Sequence, residues 1–420
     1  MIRADRLLTG FEEIATLSRG AVPRVGVAQR ALSLEADGAI AIDAGKVVAV
    51  ESSRAVRRKV ELRPRAVVEE WPGAVAVPGF IDAHTHVLFG GDRHGEIEAK
   101  LSGASFAEIA RSGGGIYSTV RATRSATDAE LVDSATQRLR RMARSGTVAV
   151  EVKSGYALSH AGELRLLRLV PTLARRSGLR LVPTYLGAHA RPPGRDARSY
   201  LREIVERTLP AIRRERLARF CDAFCEPGFY SVAESERILR AAQRLGLGLK
   251  LHADEFVDTG GAQLAARLAA RSAEHLLAAS RTGHRALARA GVTAVLLPVT
   301  PFASLSELRS PGRELVDAGV PVALGSDCSP NSWVESMPLV IAHAVYRARL
   351  TPAEALTAAT VNAAHASGLP VGTGTITVGQ PADFSVFSMR SVAEIPYRIG
   401  CLPAQIYRRG RAVLSTELRT

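Results

Sequence analysis

Two patterns alternate along the chain. Between residues 74 and 327, short apolar runs rich in β-branched residues recur. Each gives way to a longer Ala/Arg/Leu/Glu-rich segment whose apolar positions return every three to four residues. The runs are AVAVPGFID (74–82), TVAVEVKS (147–154), LRLVPTYLGA (179–188), FCDAFCE (220–226), GLKLHAD (248–254), SAEHL (272–276), TAVLLP (293–298) and PVALGSD (321–327). The intervening stretches, such as DAELVDSATQRLRRMARSG (128–146) and AESERILRAAQRLGLG (233–248), have helical period and end near glycine. Eight strand–helix repeats predict an α/β chain whose main body is a (β/α)8, TIM-like barrel. A doubly wound open sheet is the alternative, but no GxGxxG follows the first strand.

The ends of the chain read differently. GAIAIDAGKVVAV (38–50) alternates around an Asp-Ala-Gly turn and predicts a hairpin. TGTITVGQPADFSVFSM (373–389) and AQIYRRGRAVL (404–414) read as short strands split by Gly and Pro. Both termini therefore contribute to one small β unit. The expected organisation is residues 1–74 as the first part of that unit, 75–368 as the barrel, and 369–420 as the remainder.

Composition narrows the function. With 420 residues, 46 % hydrophobic and 23 % charged, the chain suits a large globular α/β domain plus a second unit. The N-terminus lacks the apolar core of a secretory signal, and no window reaches the roughly 18 apolar residues of a membrane span. The protein is expected to be soluble and cytoplasmic, with no membrane partner. Four cysteines make no disulfide framework. Cys221 and Cys225, in an apolar run, read as buried thiols rather than a zinc knuckle. The formal net charge of +14 raises the question of nucleic acid. It is carried by scattered arginines, with Lys only at 46, 59, 100, 153 and 250 and no basic block with interleaved aromatics. A field attracting small anions is the expected consequence, not nucleic-acid binding.

In a barrel of this kind function sits at the C-terminal strand ends. The first run ends in Asp82, His84 and His86, which alternation places on one face. The third leads to His189, the fifth carries His252 and Glu255, the sixth His275, and the eighth Asp327. Two imidazoles on one face of a buried strand are costly unless something polar or metallic satisfies them. A catalytic cation would: His84, His86 and His252 as neutral ligands, Asp327 as the charged one, and an open position for a water whose pKa falls to about 7. Asp327, with Glu255 or His275, could move that water's protons. His94, His160, His284, His343 and His365 are read as ordinary histidines.

PGFIDAHTH with the later HAD and GSD resembles the amidohydrolase superfamily. GFIDAHTHVLFGGDR, GGGIYSTVRATR, VEVKSGYAL, TYLGAHARPP, DAFCE, LHADEF, SAEHL, LTPAEALTAATVNAA and IPYRIG are, more narrowly, similar to the imidazolonepropionase family over nearly the whole chain. That resemblance implies a barrel with one metal ion, zinc or iron, and a β-sandwich built from both termini. It implies a homodimer, and hydrolysis of a small anionic substrate, 4-imidazolone-5-propanoate, to N-formimidoyl-L-glutamate in histidine degradation. It places His84, His86, His252 and Asp327 on the metal, and Arg93 on the propionate, where a guanidinium fork suits a carboxylate. Tyr156 and His189 would contact the imidazolone, with Glu255 and His275 completing the proton-handling shell. The absence of a lysine ending the fourth strand favours one metal, and leaves Lys153 as a hydrogen-bonding or structural residue. The sequence departs from the family after Asp327, where Cys328, Ser329, Pro330, Asn331, Ser332 and Trp333 follow. Ser329, Asn331 and Ser332 are expected at the substrate's carboxylates, Ser329 in place of an Asn and Asn331 in place of a Gly. The alternative function is that of a related cyclic amidohydrolase or aminohydrolase acting on another small anionic heterocycle.

Overall fold

A computed structural model describes residues 1–104 and 106–413. Leu414, the last residue of the final predicted strand run, lies outside the described residues. In chain order the strands are β1 (Ile2–Ala15), β2 (Leu34–Asp43), β3 (Lys46–Ser52), β4 (Val60–Glu70), β5 (Val75–Pro78), β6 (Phe80–Asp82), β7 (Thr147–Lys153) and β8 (Arg180–Ala188). They continue with β9 (Phe220–Cys225), β10 (Gly248–Ala253), β11 (Ser272–His275), β12 (Thr293–Leu296), β13 (Val322–Leu324), β14 (Phe384–Phe387), β15 (Gln405–Arg408) and β16 (Arg411–Val413).

β6 to β13 form one parallel sheet in sequence order. The ring closes just past the strand ends. Ala83 N–H donates to Leu324 O (3.3 Å), Asp327 N–H to His84 O (3.0 Å) and His86 N–H to Cys328 O (3.0 Å). All eight predicted barrel runs therefore contribute a strand. Their strands are buried on both faces, which explains the near-continuous apolar reading of several of them. The connecting helices are set by local chemistry. Helix 128–144 opens on a Thr127/Glu130 capping box and helix 232–244 on a Ser231/Glu234 box. Helix 160–177 stops at Gly178, whose φ of 67° a Cβ would oppose. Ile238 and Leu239 of helix 232–244 are fully buried, which is the packing its helical period predicts.

The run at 74–82 departs from its reading as one strand. Val75–Pro78 pairs with β1 and β14, and only Phe80–Asp82 enters the barrel. The chain crosses from one sheet to the other at Gly79, where an added Cβ would lie 2.3 Å from Val148 Cγ1. That contact leaves no space for a side chain.

The second unit is built from both termini, as the terminal β-patterns predict. Its order is β16-β15-β14-β5-β1-β2-β3, with β4 added to β1. Its core is Leu8, Phe11, Ile14, Ile40, Ile42, Val47, Phe384, Val386 and Tyr407, the last stacked on Phe384 at 4.7 Å. The predicted hairpin forms as β2 and β3, with Ala44 (φ 48°) and Gly45 (φ 79°) at the turn, the signature of a type I′ connection. Cys221 and Cys225 are free, buried thiols of β9. Among the described residues no helix is long and apolar enough to cross a membrane.

Candidate metal and substrate site

Four side chains from three separated segments of the chain meet at the C-terminal rim of the barrel. His84 Nε2 lies 3.1 Å from His86 Nε2, and His86 Nε2 lies 3.4 Å from His252 Nε2. Asp327 Oδ1 is 3.5 Å from both His84 Nε2 and His86 Nε2. A tetrahedral ion with bonds of about 2.0–2.1 Å has ligand–ligand edges of about 3.4 Å. The four spacings match such an edge: His84, His86 and Asp327 form one group able to hold an ion, and His252 adjoins it through His86.

The outer nitrogens fix which lone pairs point inward. His84 Nδ1 faces Glu274 Oε2 at 2.6 Å, and His252 Nδ1 faces Asp222 Oδ2 at 2.9 Å. A proton held on each Nδ1 leaves Nε2 as the donor atom, the carboxylate–histidine arrangement of metal sites. Burial depresses His86 well below the usual histidine range, and pushes His189 down to about 3. Burial opposes charge on His84 as well, but Glu274 beside it prevails and raises it to about 9. Glu274 thus favours positive charge at the His84 imidazole, whereas burial disfavours it at His86. The Asp327 carboxyl is held below its usual range: burial opposes this, and the His84 contact outweighs burial.

Asp82, expected on the same face, does not join these four. Its Oδ1 accepts from Ser326 N (2.9 Å) and His84 N (3.4 Å), tying β6 to the turn that carries Asp327. Burial raises its carboxyl to about 6.

Beneath the cluster the barrel interior is charged. Lys153 Nζ lies 2.8 Å from both Asp222 Oδ2 and Glu274 Oε2 and 3.0 Å from Glu151. Lys250 Nζ lies 3.0 Å from Glu151 Oε1 and from Glu274 Oε1. All five side chains are wholly buried. Two lysines against Glu151, Asp222, Glu274 and Asp327 leave two negative charges unmatched, which a divalent cation would neutralise. Lys153 is thus a member of a buried ion network.

Above the cluster opens a cavity of 380 Å³. Arg93, Tyr156, His189, Glu255, His275, Ser329 and Asn331 all line it, together with His86, His252 and Asp327. His84 sits below as floor, with no exposed surface. Arg93 is aimed by Glu96: Nε and Nη2 donate to Glu96 Oε2 at 2.9 and 2.7 Å, while Glu96 Oε1 accepts from Gly115 N at 2.7 Å. Tyr156 is buried, its ring 5.1 Å from His189 and 5.8 Å from His86, and burial pushes its phenol up. The His189 ring stacks on His86 at 4.7 Å. His275 Nδ1 lies 3.6 Å from Glu255 Oε1. Burial, with Asp327 nearby, drives the Glu255 carboxyl well above its usual range, whereas burial drives His275 well below. Asn331 Oδ1 accepts from Lys100 Nζ at 2.9 Å. Ser332 is not brought to the cavity. It is fully buried, and its N–H donates to Ser329 Oγ at 3.2 Å, so it shapes the turn on which Ser329 sits.

Non-glycine residues with positive φ gather on this rim: Asp254 (53°), His275 (68°), Leu276 (61°) and Asp327 (52°). Such conformations persist only where the surroundings over-determine them. At Asp254 the carboxylate accepts from Thr259, Gly261 and Ala262 N–H groups, fixing the bend that turns Glu255 inward. Glu226 holds the other side of that bend, accepting from the backbone N–H groups of Glu255 and Phe256. Burial raises the Glu226 carboxyl to about 7. A folded-state pKa raised this way contributes stability below the ordinary carboxylate pKa and loses it as pH rises towards 7. Glu226→Gln is therefore expected to flatten the fall of melting temperature between about pH 5 and pH 7. Thermal melts of both proteins across that range check this, and an unchanged slope contradicts it.

Sequence reasoning missed Glu151, Asp222, Lys250, Glu274 and Thr300, whose Oγ1 donates to Asp327 Oδ2 at 2.9 Å. A signal existed for three of them. Glu151 stands two residues before Lys153, Lys250 two before His252, and Glu274 two after Ser272. Period-two spacing puts each pair on the barrel's inner face. Asp222 gave only the hint of a lone acid in an apolar run.

The chain is similar to known proteins over nearly its whole length. The amidohydrolase family model matches residues 75–404. The chain is 45 % identical over 415 residues to an imidazolonepropionase of Symbiobacterium thermophilum, covering 98 % of this chain and 97 % of that one. It is 40 % identical over 415 residues to an imidazolonepropionase of Solibacter usitatus, covering 98 % and 99 %. Among solved structures, an adenosine deaminase from Xanthomonas campestris with bound zinc superposes with a TM-score of 0.72 at 19 % identity, over 99 % of this chain and 96 % of that one. The zinc complex of an atrazine chlorohydrolase from Arthrobacter aurescens gives 0.66 at 17 %, over 97 % and 95 %. These two likenesses concern the fold.

Proposed function

The chain belongs to the amidohydrolase family and, within it, to the imidazolonepropionases, and from that membership we propose that it opens 4-imidazolone-5-propanoate to N-formimidoyl-L-glutamate. The observation that carries this reading is a single cavity holding two kinds of chemistry. The cluster of His86, His252 and Asp327 stands on its floor, and the Arg93 guanidinium lines its wall. A ring with a carboxylate-bearing arm needs both.

The reaction adds water across the ring's carbonyl–nitrogen bond. The carbonyl carbon gains a C–O bond and becomes a carboxylate, the C–N bond breaks, and the ring nitrogen leaves with a proton. His84, His86, His252 and Asp327 would hold a divalent ion, zinc or iron, since imidazole nitrogen with one carboxylate suits either. When bound, such an ion supplies positive charge that acidifies water and polarises a carbonyl. The chain's own residues do the rest. Arg93 anchors the propionate, and Glu96 keeps the fork pointed at it. Tyr156 and His189 bracket the ring on the side of His86. Asp327, kept ionised, takes the proton of the attacking water, while Thr300 fixes its other oxygen. Glu255, its carboxyl raised by burial, stands beside His275 and returns a proton to the leaving nitrogen. The neutral His275 imidazole serves as a hydrogen-bond donor to the developing oxyanion.

Replacing Arg93 with Ala is expected to raise KM about 10- to 100-fold, the worth of a charge-assisted fork, with a smaller change in kcat. Glu96→Gln is expected to shift KM in the same direction by less, because the fork remains but is no longer aimed. Steady-state kinetics of both variants check this; an unchanged KM in Arg93→Ala contradicts the anchoring role. The substrate assignment is tested by incubating the metal-loaded protein with 4-imidazolone-5-propanoate and with hydantoin-5-propanoate. Formimidoylglutamate as the favoured product supports it. Faster opening of the hydantoin would replace it with the related cyclic-amide reading, which Ser329 and the Lys100-bound Asn331 at the carboxylate end of the cavity would then explain.

A further inference from the structure

A second cavity lies at the other end of the barrel. It is a cleft of 1590 Å³ between the N-terminal ends of β7 and β8 and the terminal β unit. We propose that this cleft binds a small multivalent oxyanion, one carrying two or more phosphate or sulfate groups.

Three separate elements bring arginines to it. The β15–β16 hairpin supplies Arg408, Arg409 and Arg411; the turn from helix 160–177 into β8 supplies Arg175 and Arg180; helix 128–144 supplies Arg140. The hairpin tip is a defined turn, with Arg409 at φ 46° and Gly410 at φ 71°, and Arg408 pairs with Arg411 across it. Arg140, Arg175, Arg180, Arg409 and Arg411 have no carboxylate partner among the described residues. Of the cleft's other three arginines, Arg6 pairs with Glu69 and Arg176 with Asp133, which leaves Arg408. The acids in the lining are already engaged. Asp383 Oδ1 accepts from Arg409 N at 2.7 Å, and Asp5 Oδ2 from Ala44 N at 2.9 Å. Arg408 reaches the Ser177 carbonyl through Nη1 at 3.4 Å, while its Nη2 is buried with no partner. A buried guanidinium N–H without an acceptor is costly, and an oxyanion would satisfy it.

The chemistry of the lining selects the ligand class. Guanidinium forks match phosphate and sulfate oxygens in pairs. Like charges sharing one concave surface focus a positive potential on it. Among the described residues no aromatic side chain lines the cleft, so they offer nothing on which a base could stack. The volume exceeds that of one tetrahedral anion, and the arginines come from both units, so a ligand with several charged groups engages more of them than a single sulfate.

The test is calorimetric titration of the metal-loaded protein with inorganic tripolyphosphate at about 0.15 M ionic strength, where long-range attraction is screened. The expected result is saturable binding of one tripolyphosphate per chain. In Arg409→Ala/Arg411→Ala that binding weakens tenfold or more, while kcat and KM for the ring substrate stay at wild-type values. Arg180→Ala weakens it in the same direction. Sodium sulfate at matched ionic strength binds far more weakly. Absence of saturable binding overturns the proposal. So does equal affinity in the double variant, which would place the anion at the Arg93 cavity or on the metal, and so does sulfate binding as tightly as tripolyphosphate.

Discussion

Asp327→Ala is expected to lose turnover by about 1,000-fold or more, because one substitution removes both a cation ligand and the carboxylate that handles the water's proton. Asp327 Oδ1 stands 3.5 Å from two of the histidine nitrogens, and its Oδ2 is pinned by Thr300. The cavity's other carboxylate, Glu255, is not placed to replace it: burial raises its carboxyl well above the usual range, and it faces His275. The fold should survive, since Asp327 is not part of the Lys153/Lys250 network below. The check is kcat measured alongside bound-metal content and a melting curve. Turnover within tenfold of wild type would remove Asp327 from the mechanism.

Lys153→Met should do the opposite: its first effect is on stability. Lys153 lies within 3.0 Å of Glu151, Asp222 and Glu274, and all four groups are fully buried. Removing one partner of a buried ion network leaves charge uncompensated and costs about 3–5 kcal/mol. Asp222 and Glu274 also orient His252 and His84, so the damage reaches the cluster from beneath. Chemical denaturation reads the first effect and metal affinity the second. A stability loss under about 1 kcal/mol would mean the network relaxes or takes in water, and that the charge balance drawn for the barrel does not hold.

The sequence carried the fold well because the barrel's signal is periodic and repeated. Eight short apolar runs separated by helical segments leave few architectures open, and each run appears as a strand. The misreading of 74–82 is instructive. Val75–Pro78 and Phe80–Asp82 are both buried and mostly apolar, so hydrophobicity cannot tell which sheet each joins; the strand pairing divides them at Gly79. The inner ring of the site was legible because paired histidines on one strand face are costly without a purpose. What lay below was not. Lys250 and Glu274 look like ordinary strand charges until the barrel closes and shows that they meet no solvent. Ser332 shows the reverse limit: the family resemblance placed it at the substrate's carboxylates, but the residue is fully buried, with its backbone N–H donating to Ser329 Oγ.

The claim on which everything rests is that His84, His86, His252 and Asp327 share one cation. X-ray absorption of the zinc-loaded protein, compared with His252→Ala, tests it most directly. The account predicts one zinc per chain with three imidazole nitrogens and at least one oxygen at about 2.0–2.2 Å, and loss of one nitrogen in the variant. A spectrum unchanged by His252→Ala, or two zinc ions per chain with a metal–metal distance, would contradict it.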